Sequence, residues 1–333
     1  MNDDEKDNRK DLLVTIADAN FIKQAKQLFS SVYFNAGWQG DYMLLTSGLS
    51  DDDAAWFKSK GILVYAPPLL TDSPLGIKAY PPILLSKFYL FQEDFKKWRK
   101  IIFLDSDILV EASLDRLLAL DGFNAAEAIT FRLRNEFIGD DKRLQALKER
   151  YDLRALAFST GVFSFETDLI GSATFAEIMA LHERYRDVCE YGEESILNLY
   201  FYKHWRLLPV IYNAIPWHMK IAYGIRTNKL KAFIIHSICS LKPWEASSPY
   251  YQEWLDNLHR AEMIDLDKRP AAVKIWSDKE YRDYLIFLKL KKAAHAAYPL
   301  LLGIDRQIGR LGLLIKKKNP GLYRLIRLKK DDE

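Results

Sequence analysis

Apolar runs of strand length alternate with helical patterns through the first third of the chain, and this alternation constrains the fold more than any other feature. The strand-like runs lie at 12–17, 42–46, 61–65 and 101–104. Helical patterns separate them at about 21–33, 51–60 and 84–95. This order predicts an α/β fold with a mostly parallel, Rossmann-like sheet and helices on both faces. In such sheets, ligands bind beyond the carboxyl ends of the strands.

Two carboxylates, Asp105 and Asp107, follow the last of these runs, on either side of Ser106. Because strand side chains alternate between faces, both carboxylates are expected to point the same way. Burying two like charges is unfavourable unless something compensates them, and a divalent cation with oxygen ligands does so. Most Asp-x-Asp tripeptides are solvated turns, but the apolar run before this one favours a metal site. A metal at an open sheet edge indicates a phosphate-bearing substrate.

Composition and charge set broad limits on the class of protein. The chain has 333 residues, 49% hydrophobic and 28% charged, with a net charge of +3, which suits one large or two small globular domains and no particular partner. Two cysteines, Cys189 and Cys239, make no disulfide framework and favour a reducing compartment. The charged N-terminus is no signal peptide, and no window reaches about 18 uninterrupted apolar residues. A cytoplasmic protein is therefore expected.

Further polar residues lie at the ends or starts of later predicted elements. His236 ends the apolar run 232–236, and Lys242 follows it, where an ammonium could meet a phosphate. Taken alone, each is more often an ordinary core or surface residue, and Lys87 would usually be a solvated helix charge. Glu193 and Glu194 also have a structural explanation, since carboxylates in a first helical turn complement the helix dipole.

Taken together, these residues and their neighbours resemble a known family. The matching segments, in order, are Thr15–Phe21, Ser86–Phe88, Ile102–Val110, Ser159–Val162, Gly192–Asn198 and the segment from His236 to Lys242-Pro243-Trp244. Their order and spacing over roughly residues 12–245 resemble glycosyltransferase family 8, the group that includes glycogenin and bacterial lipopolysaccharide galactosyl- and glucosyltransferases. The resemblance implies a GT-A fold and a retaining transfer of a hexose, usually from a UDP-sugar.

The resemblance also implies a metal site. Asp105, Asp107 and His236 would bind a divalent ion, usually Mn²⁺ with Mg²⁺ as the alternative, and the donor's diphosphate would complete its coordination. Mixed oxygen and imidazole ligands suit Mn²⁺ better than Ca²⁺. Lys242 would add a positive charge at the same phosphates.

The remaining implied roles concern the two sugars and the nucleotide. The donor would be bound by the residues Ala17, Asp18, Asn20, Phe21, Lys87 and Ser106, together with Lys242. Phe21 stands where the family usually has Tyr, so the ring can stack but the hydroxyl is lost. Ser159, Thr160 and Trp244 would contact the acceptor or the transferred sugar.

Three segments depart from the family pattern. Ser159-Thr160-Gly161 stands where Asn-Ala-Gly is frequent, Glu193-Glu194-Ser195 where Asp-Gln-Asp is usual, and Cys239 where a Gly is expected. Glu193 and Glu194 are the catalytic candidates, with Glu194 closest to the chemistry. Same-face attack stabilised electrostatically is the preferred hypothesis, and a covalent glycosyl-enzyme is the alternative. The choice between glucose and galactose stays open.

The C-terminal region is basic, with no acid between Asp305 and Asp331. The segment Arg306–Lys330 interleaves Leu and Ile with Lys and Arg, which predicts peripheral attachment to an anionic membrane; a helix packed on the domain is the alternative. The predicted organisation is a disordered charged N-terminus at 1–11, a GT-A domain at 12–275 and a helical basic extension at 276–333.

The leading functional prediction is a metal-dependent retaining hexosyltransferase that acts on a lipid-linked bacterial surface glycan such as lipopolysaccharide core. The alternatives are a self-glucosylating glycogen initiator and a catalytically silent nucleotide-sugar binding protein. Nucleic-acid binding is not expected, because no recognised motif accompanies the charge. Replacing Asp107 by Ala is expected to abolish Mn²⁺-dependent donor binding without unfolding the domain, since one of two like charges is removed.

Overall fold

A seven-stranded sheet with helices on both faces forms the centre of the protein in the computed structural model. The structure describes residues 8–76, 79–139, 142, 144–238, 242–271 and 274–297. The strands are β1 (Leu12–Asp18), β2 (Asp41–Ser47), β3 (Leu63–Tyr65), β4 (Lys100–Leu104), β5 (Ile108–Val110), β6 (Phe123–Arg132), β7 (Leu156–Glu166), β8 (Trp205–Leu207) and β9 (Ile234–His236). The sheet has the order β3-β2-β1-β4-β7-β6-β8. Its first four strands run parallel, β7 is antiparallel to β4 and β6, and β8 is parallel to β6.

Helices connect and cover these strands. They are α1 (Ile22–Ser31), α2 (Asp51–Ser59), α3 (Asp115–Leu118), α4 (Gln145–Lys148), α5 (Thr174–Tyr185), α6 (Glu193–Tyr200), α7 (Pro216–Tyr223), α8 (Tyr251–Arg260) and α9, at 278–297. A π-turn continues α1 over Val32–Ala36. Short 3₁₀ segments lie at Ala19–Phe21, Pro82–Phe91, Glu93–Lys97, Leu133–Glu136, Thr167–Leu169, Arg186–Val188, Val210–Tyr212, Thr227–Lys229 and Ala261–Met263. Among the described residues no helix is long and apolar enough to cross a membrane.

The apolar strand runs are continuous because the sheet is buried on both faces. Leu12, Val14 and Phe103 pack into one core cluster, whereas Leu13 and Leu104 pack into the other. Neighbouring residues of one strand therefore serve opposite cores, as expected for a parallel sheet covered by helices. The sequence prediction of a mostly parallel sheet with helices on both faces is confirmed.

The segment 84–95, which was predicted to be helical, contains 3₁₀ turns and no α-helix. The chain forms two 3₁₀ segments there, Pro82–Phe91 and Glu93–Lys97. Every side chain from Leu85 to Phe91 is buried, so the segment has no polar face and tertiary packing decides its backbone.

The C-terminal part of the described chain packs against the central domain. Helix α8 contacts α1, and α9 contributes the buried Leu288 to the core cluster on that face. Tyr281 and Tyr284 of α9 pack on the same cluster. The division of the chain at residue 275 stays a prediction, as does the disorder predicted for 1–11, of which residues 1–7 lie outside the described residues.

Candidate active site

The two carboxylates predicted to bind metal lie in a turn at the carboxyl edge of the sheet. Strand β4 ends at Leu104, and Asp105, Ser106 and Asp107 connect it to β5. Strand β5 pairs antiparallel with β9, which places Ile108 opposite His236. This pairing brings the imidazole to the turn, where His236 Nε2 lies 2.9 Å from Asp107 Oδ1 and 4.0 Å from Asp105 Oδ2.

Asp105, Asp107 and His236, the metal triad, offer ligand atoms that all lie within 4.8 Å of one another. Two residues that were not predicted as site residues shape the triad. Asn213 Oδ1 lies 2.7 Å from His236 Nδ1, which leaves Nε2 facing the carboxylates. A hydrogen bond of this kind fixes the orientation of a ligating imidazole. Gly161 faces the triad from β7, and a Cβ there would lie 2.3 Å from His236 Cε1.

Asp107 is strongly compensated by positive charge. Lys242 Nζ donates to Asp107 Oδ2 at 2.5 Å and to the carbonyl of Ser237 at 2.8 Å. Burial alone would raise the pKa of Asp107, but His236 and Lys242 hold it well below its ordinary value. The folded protein therefore stabilises the ionised carboxylate. Removal of Asp107 was expected to relieve repulsion between like charges. This expectation is wrong, because His236 and Lys242 would lose their partner and the folded protein would be destabilised.

Lys87 is a buried cation at the other side of the triad. Its Nζ lies 2.9 Å from Glu193 Oε1 and 3.1 Å from Asp105 Oδ1, and it donates to the Thr160 carbonyl at 3.3 Å. Burial alone would lower the pKa of Lys87, but the two carboxylates raise it above its ordinary value. Lys87 therefore stays charged and joins the triad to α6.

Glu194 extends from the first turn of α6 toward β7. Its Oε2 accepts from the Thr160 backbone N–H at 2.9 Å and lies 3.3 Å from the Thr160 hydroxyl. Burial raises the pKa of Glu194 to about 7 against these hydrogen bonds, with Glu193 adding to the rise. Asn198, one turn further along α6, exchanges hydrogen bonds with the backbone of Phe158, and this locks the helix onto β7.

A cavity of about 390 Å³ brings most of the predicted residues together. Its lining includes the residues Tyr80, Leu84, Lys87, Asp105, Asp107, Ile129, Ser159, Thr160, Gly161, Tyr191, Glu193, Glu194, His236, Ile238 and Lys242. Two acids that are far from Asp105 in the sequence, Glu193 and Glu194, thus share one space with the triad. The cavity can hold a divalent cation at one side and a polar substrate against the acids.

The predicted nucleotide residues lie beside this cavity and do not line it. Asp18 ends β1 and caps the following turn by accepting from the Asn20 N–H at 2.9 Å. Phe21 contacts the edge of Trp244, with ring centroids 6.0 Å apart, and Lys242 lies over the Trp244 ring. The turn after β1, with Ala17 and Asn20, is therefore joined to the triad through Trp244 and Lys242. Ser106 lies between the two triad carboxylates and is nearly buried.

Sequence reasoning missed Asn213 and Glu136. Asn213 has no local signal, because its partner His236 is 23 positions away. Glu136 is fully buried beneath the start of α6, and only its burial identifies it. Cys239 and the basic segment 306–330 lie outside the described residues. Cys189 is a buried free thiol.

Comparison with known proteins gives relatives of one kind. Residues 57–248 match the model of glycosyl transferase family 8. The glycosyltransferase GlyB of Streptococcus pneumoniae serotype 4 is 25% identical over 200 residues, which are 53% of this chain and 45% of GlyB. A probable glycosyl transferase Gly of Streptococcus gordonii is 24% identical over 173 residues, 49% of this chain and 22% of that protein. The chain thus spans less than half the length of these curated relatives.

Solved structures share the fold. The galactosyltransferase LgtC, solved in complex with donor and acceptor sugar analogs, superposes with a TM-score of 0.59 at 18% identity, covering 74% of this chain and 95% of LgtC. The glycosyltransferase GlyE of Streptococcus pneumoniae TIGR4 gives a TM-score of 0.56 at 20% identity, covering 80% of this chain and 67% of GlyE. These likenesses confirm the predicted GT-A fold, and the family match covers more than half of the chain. The chain belongs to glycosyltransferase family 8.

Proposed function

We propose that the protein is a metal-dependent retaining hexosyltransferase that moves glucose or galactose from a UDP-sugar to a glycan acceptor. The observation that carries this proposal is the metal triad inside the same cavity as Lys87, Glu193 and Glu194. Such a cavity at the carboxyl edge of an α/β sheet is where a nucleotide-linked substrate is expected. Galactose is the first donor sugar to test, because LgtC is a galactosyltransferase.

The triad fits a hard to borderline divalent cation. Two carboxylates and an imidazole are ligands that Mn²⁺ accepts, and Gly161 leaves the imidazole the space that a Cβ would fill. Asp105, Asp107 and His236 would hold the ion, which supplies positive charge to balance the departing nucleoside diphosphate. Lys242 lies within bonding distance of Asp107 and would place its ammonium beside the same phosphates.

Glu194 is the carboxylate best placed to act on the transferred sugar. It lines the cavity and is held toward it by the Thr160 N–H. A carboxylate in this place would stabilise the positive charge that develops at the anomeric carbon during same-face attack. The covalent alternative gives Glu194 the role of nucleophile. A glycosyl-enzyme trapped with a slow fluorinated donor and detected by mass spectrometry would establish that alternative and exclude same-face attack.

Lys87 and Glu193 would bind the donor as a pair. Their buried ion pair at 2.9 Å fixes both side chains, and Thr160 contacts both through its carbonyl and hydroxyl. Because the pair is already ordered, little side-chain entropy is lost when a sugar hydroxyl binds. Ser159 and Thr160 on β7 would then contact the transferred sugar or the acceptor, and Trp244 would border it.

A donor panel tests the proposed function. Purified protein is incubated with Mn²⁺ and UDP-galactose, UDP-glucose or other UDP-sugars, and UDP release is measured with and without a chelator. Metal-dependent release from one hexose donor is the expected result, and slow hydrolysis without acceptor suffices. Donor binding without UDP release would instead identify a silent binding protein. A sugar-modified Tyr in the peptide map would identify a self-glucosylating initiator.

The acceptor and its location are part of the proposal. We infer that the acceptor is a lipid-linked surface glycan and that the enzyme is cytoplasmic. The enzyme would attach to the inner face of the membrane through Arg306–Lys330, whose nine basic residues favour anionic lipid. Liposome binding by the full chain should exceed that of a chain ending near Asp305. Equal binding by the two would exclude this mode of attachment.

A further inference from the structure

Glu136 is a buried acid that the proposed reaction does not use. It has no exposed surface, and it follows the β6 strand in the short 3₁₀ segment Leu133–Glu136. A hydrogen bond of 2.5 Å joins its Oε1 to the hydroxyl of Thr130, and its Oε2 has no hydrogen-bond partner. Within the described part of the chain, Glu136 forms no ion pair, so no cation compensates a charge on it. A buried carboxyl in these surroundings is stable as the neutral acid.

The backbone of Glu136 holds the helix that carries Glu194. Its carbonyl accepts from the Ser195 hydroxyl at 2.8 Å and from the Glu190 N–H at 2.9 Å. The two donors, Glu190 and Ser195, lie on either side of Glu193 and Glu194 in the sequence. Their hydrogen bonds therefore hold both ends of the turn that leads into α6. Any shift of Glu136 would therefore move Glu194 relative to the cavity.

The two carboxyls also interact through their charges. Burial is the largest cause that raises the pKa of Glu136 well above its ordinary value, and the charge of Glu194 is the second largest. Glu193, Glu190 and the thiol of Cys189 also face Glu136, and Lys87 faces Glu193 and Glu194. Of the two carboxyls, only that of Glu194 receives a backbone N–H, from Thr160, and such a bond favours the ionised form.

We propose that Glu136 is a positioning residue that retains the one proton of a buried Glu136–Glu194 carboxyl pair, so that Glu194 carries the negative charge at the cavity. Like charges that lie close together in a buried site seldom ionise together, and one member keeps its proton. Glu136 takes that part because it is fully buried and no cation compensates a charge on it, and the hydroxyl of Thr130 is the one donor that favours its ionised form among the described residues. Its significance for sugar transfer rests on the function proposed above, but the state of the pair does not.

The stability of the protein as a function of pH tests the pair without any donor. Above pH 4.5, the ordinary pKa, Glu136 is ionised in the unfolded chain. If it is neutral in the folded chain, it must take up a proton on folding, whereas a Gln at this position takes up none. The ratio of the unfolding constants of wild type and Glu136→Gln should therefore grow about tenfold per pH unit across neutral pH. For Glu194→Gln the same ratio should level off above about pH 7. Glu177→Gln, at an exposed position of α5, controls for the exchange of acid for amide.

The outcomes separate the assignments. A ratio for Glu136→Gln that does not change with pH would mean that Glu136 is ionised in the folded protein, and the proposal would be overturned. A ratio that levels off for Glu136→Gln but keeps growing for Glu194→Gln would assign the proton to Glu194 and also overturn it. Each unfolding curve is measured on a variant that has folded, so it gives the stability of that variant independently of the others.

Infrared spectroscopy decides the matter if Glu136→Gln does not fold. Wild type should keep the carbonyl stretching band of a buried neutral carboxylic acid above neutral pH, and Thr130→Val should shift that band by removing its hydrogen bond. Absence of the band, or an unshifted band in Thr130→Val, would contradict the proposal.

Kinetics connect the pair to the reaction. Glu136→Gln should leave the pH midpoint of UDP release where it is in wild type, and Glu136→Leu should lower kcat more than Glu136→Gln does. A midpoint that falls by about one pH unit in Glu136→Gln would show that a charge on Glu136 acts on Glu194, and would overturn the proposal. If wild type releases UDP from no donor, the proposed function fails, while the stability measurement still decides the state of the pair.

Discussion

Two groups of acids at or beneath the same cavity have opposite electrostatic surroundings. In the metal triad, Asp107 contacts both His236 and Lys242, and its pKa is held below the ordinary value. The second group, which we call the acid cluster, consists of Glu136, Glu193 and Glu194. Lys87 pairs with Glu193, whereas Glu136 forms no ion pair within the described part of the chain, and burial raises the pKa of all three acids.

The difference indicates separate chemical tasks. In the triad, His236 and Lys242 favour the ionised form of Asp107, which suits the binding of a cation. In the acid cluster, burial raises the pKa of Glu194 to about 7, so the charge of that carboxyl can respond to a substrate. Local cations, and not burial as such, decide between these states, because both groups are largely buried.

Removing Asp107 is expected to have the largest effect. Asp107→Ala should lower kcat/KM about 10³-fold, because the triad loses a ligand and Lys242 loses its partner. The variant should also lose stability above pH 3.8, the ordinary pKa, where the depressed pKa of wild type favours folding. The difference should shrink as the pH falls from 3.8 and disappear once the pH has passed the depressed pKa of the folded protein. UDP-release kinetics and thermal unfolding measure both effects.

Asp94→Ala, at an exposed position of the Glu93–Lys97 segment, is the control for loss of an aspartate. Unchanged donor affinity and metal dependence in Asp107→Ala would show that the triad is not part of the functional site. The contrast between the triad and the acid cluster would then have no bearing on function.

Glu194 should give the next largest effect. Glu194→Ala should lower kcat about 10²-fold, as removal of one electrostatic stabiliser does in other enzymes. In wild type the rate should rise with pH through about 7, since burial raises the pKa of Glu194 to that value and the ionised form is the active one. Glu194→Gln should lose this limb of the pH profile. Turnover that is unaffected by Glu194→Ala would contradict both roles considered for this residue.

Gly161 tests the space around the triad. In Gly161→Ala the new Cβ would lie 2.3 Å from His236 Cε1, so the imidazole must move. We expect Mn²⁺ affinity, measured by calorimetry without donor, to fall about 10²-fold. Gly171→Ala is the matched control, because its nearest contact would be 3.7 Å away. Equal Mn²⁺ affinity in the two variants would show that the imidazole is not a ligand.

Asn213 should give a smaller effect on the same measurement. Asn213→Ala removes the 2.7 Å contact that orients His236, and loss of such a partner lowers metal affinity about tenfold. Asn124→Ala removes another buried amide, one that bonds to the carbonyls of Asp121 and Gly122. If Asn124→Ala weakens Mn²⁺ binding as much as Asn213→Ala, general destabilisation is the cause.

Phe21 lies at the edge of the site, and its replacement should have the smallest effect. Its ring is 37% exposed and touches Trp244. Phe21→Ala should weaken UDP binding by about 1 kcal/mol through lost ring contacts, and Phe21→Tyr should not. Equal UDP affinity in Phe21→Ala and wild type would place the nucleotide elsewhere.

The sequence predicted most elements that carry a strong local pattern. The four parallel strands and α2 were correct because apolar periodicity and a helix cap such as Ser50 act over a few residues. The segment 84–95 was predicted to be helical and forms 3₁₀ turns, because it is largely buried and periodicity does not identify the type of helix there.

The sequence by itself determined the family, the fold class and the candidate metal residues of the triad, since these depend on motifs whose residue types and order can be read directly. Only the tertiary structure decided how the charges act. Asp107 and Lys242 are 135 positions apart and become an ion pair only in the folded chain, and the β5–β9 register brings His236 to the same turn. Glu136 likewise comes to lie beneath the start of α6 only in the folded chain, where its carbonyl accepts from the Ser195 hydroxyl. A pKa depends on the distances, hydration and charges around a group, and these exist only once the chain has folded.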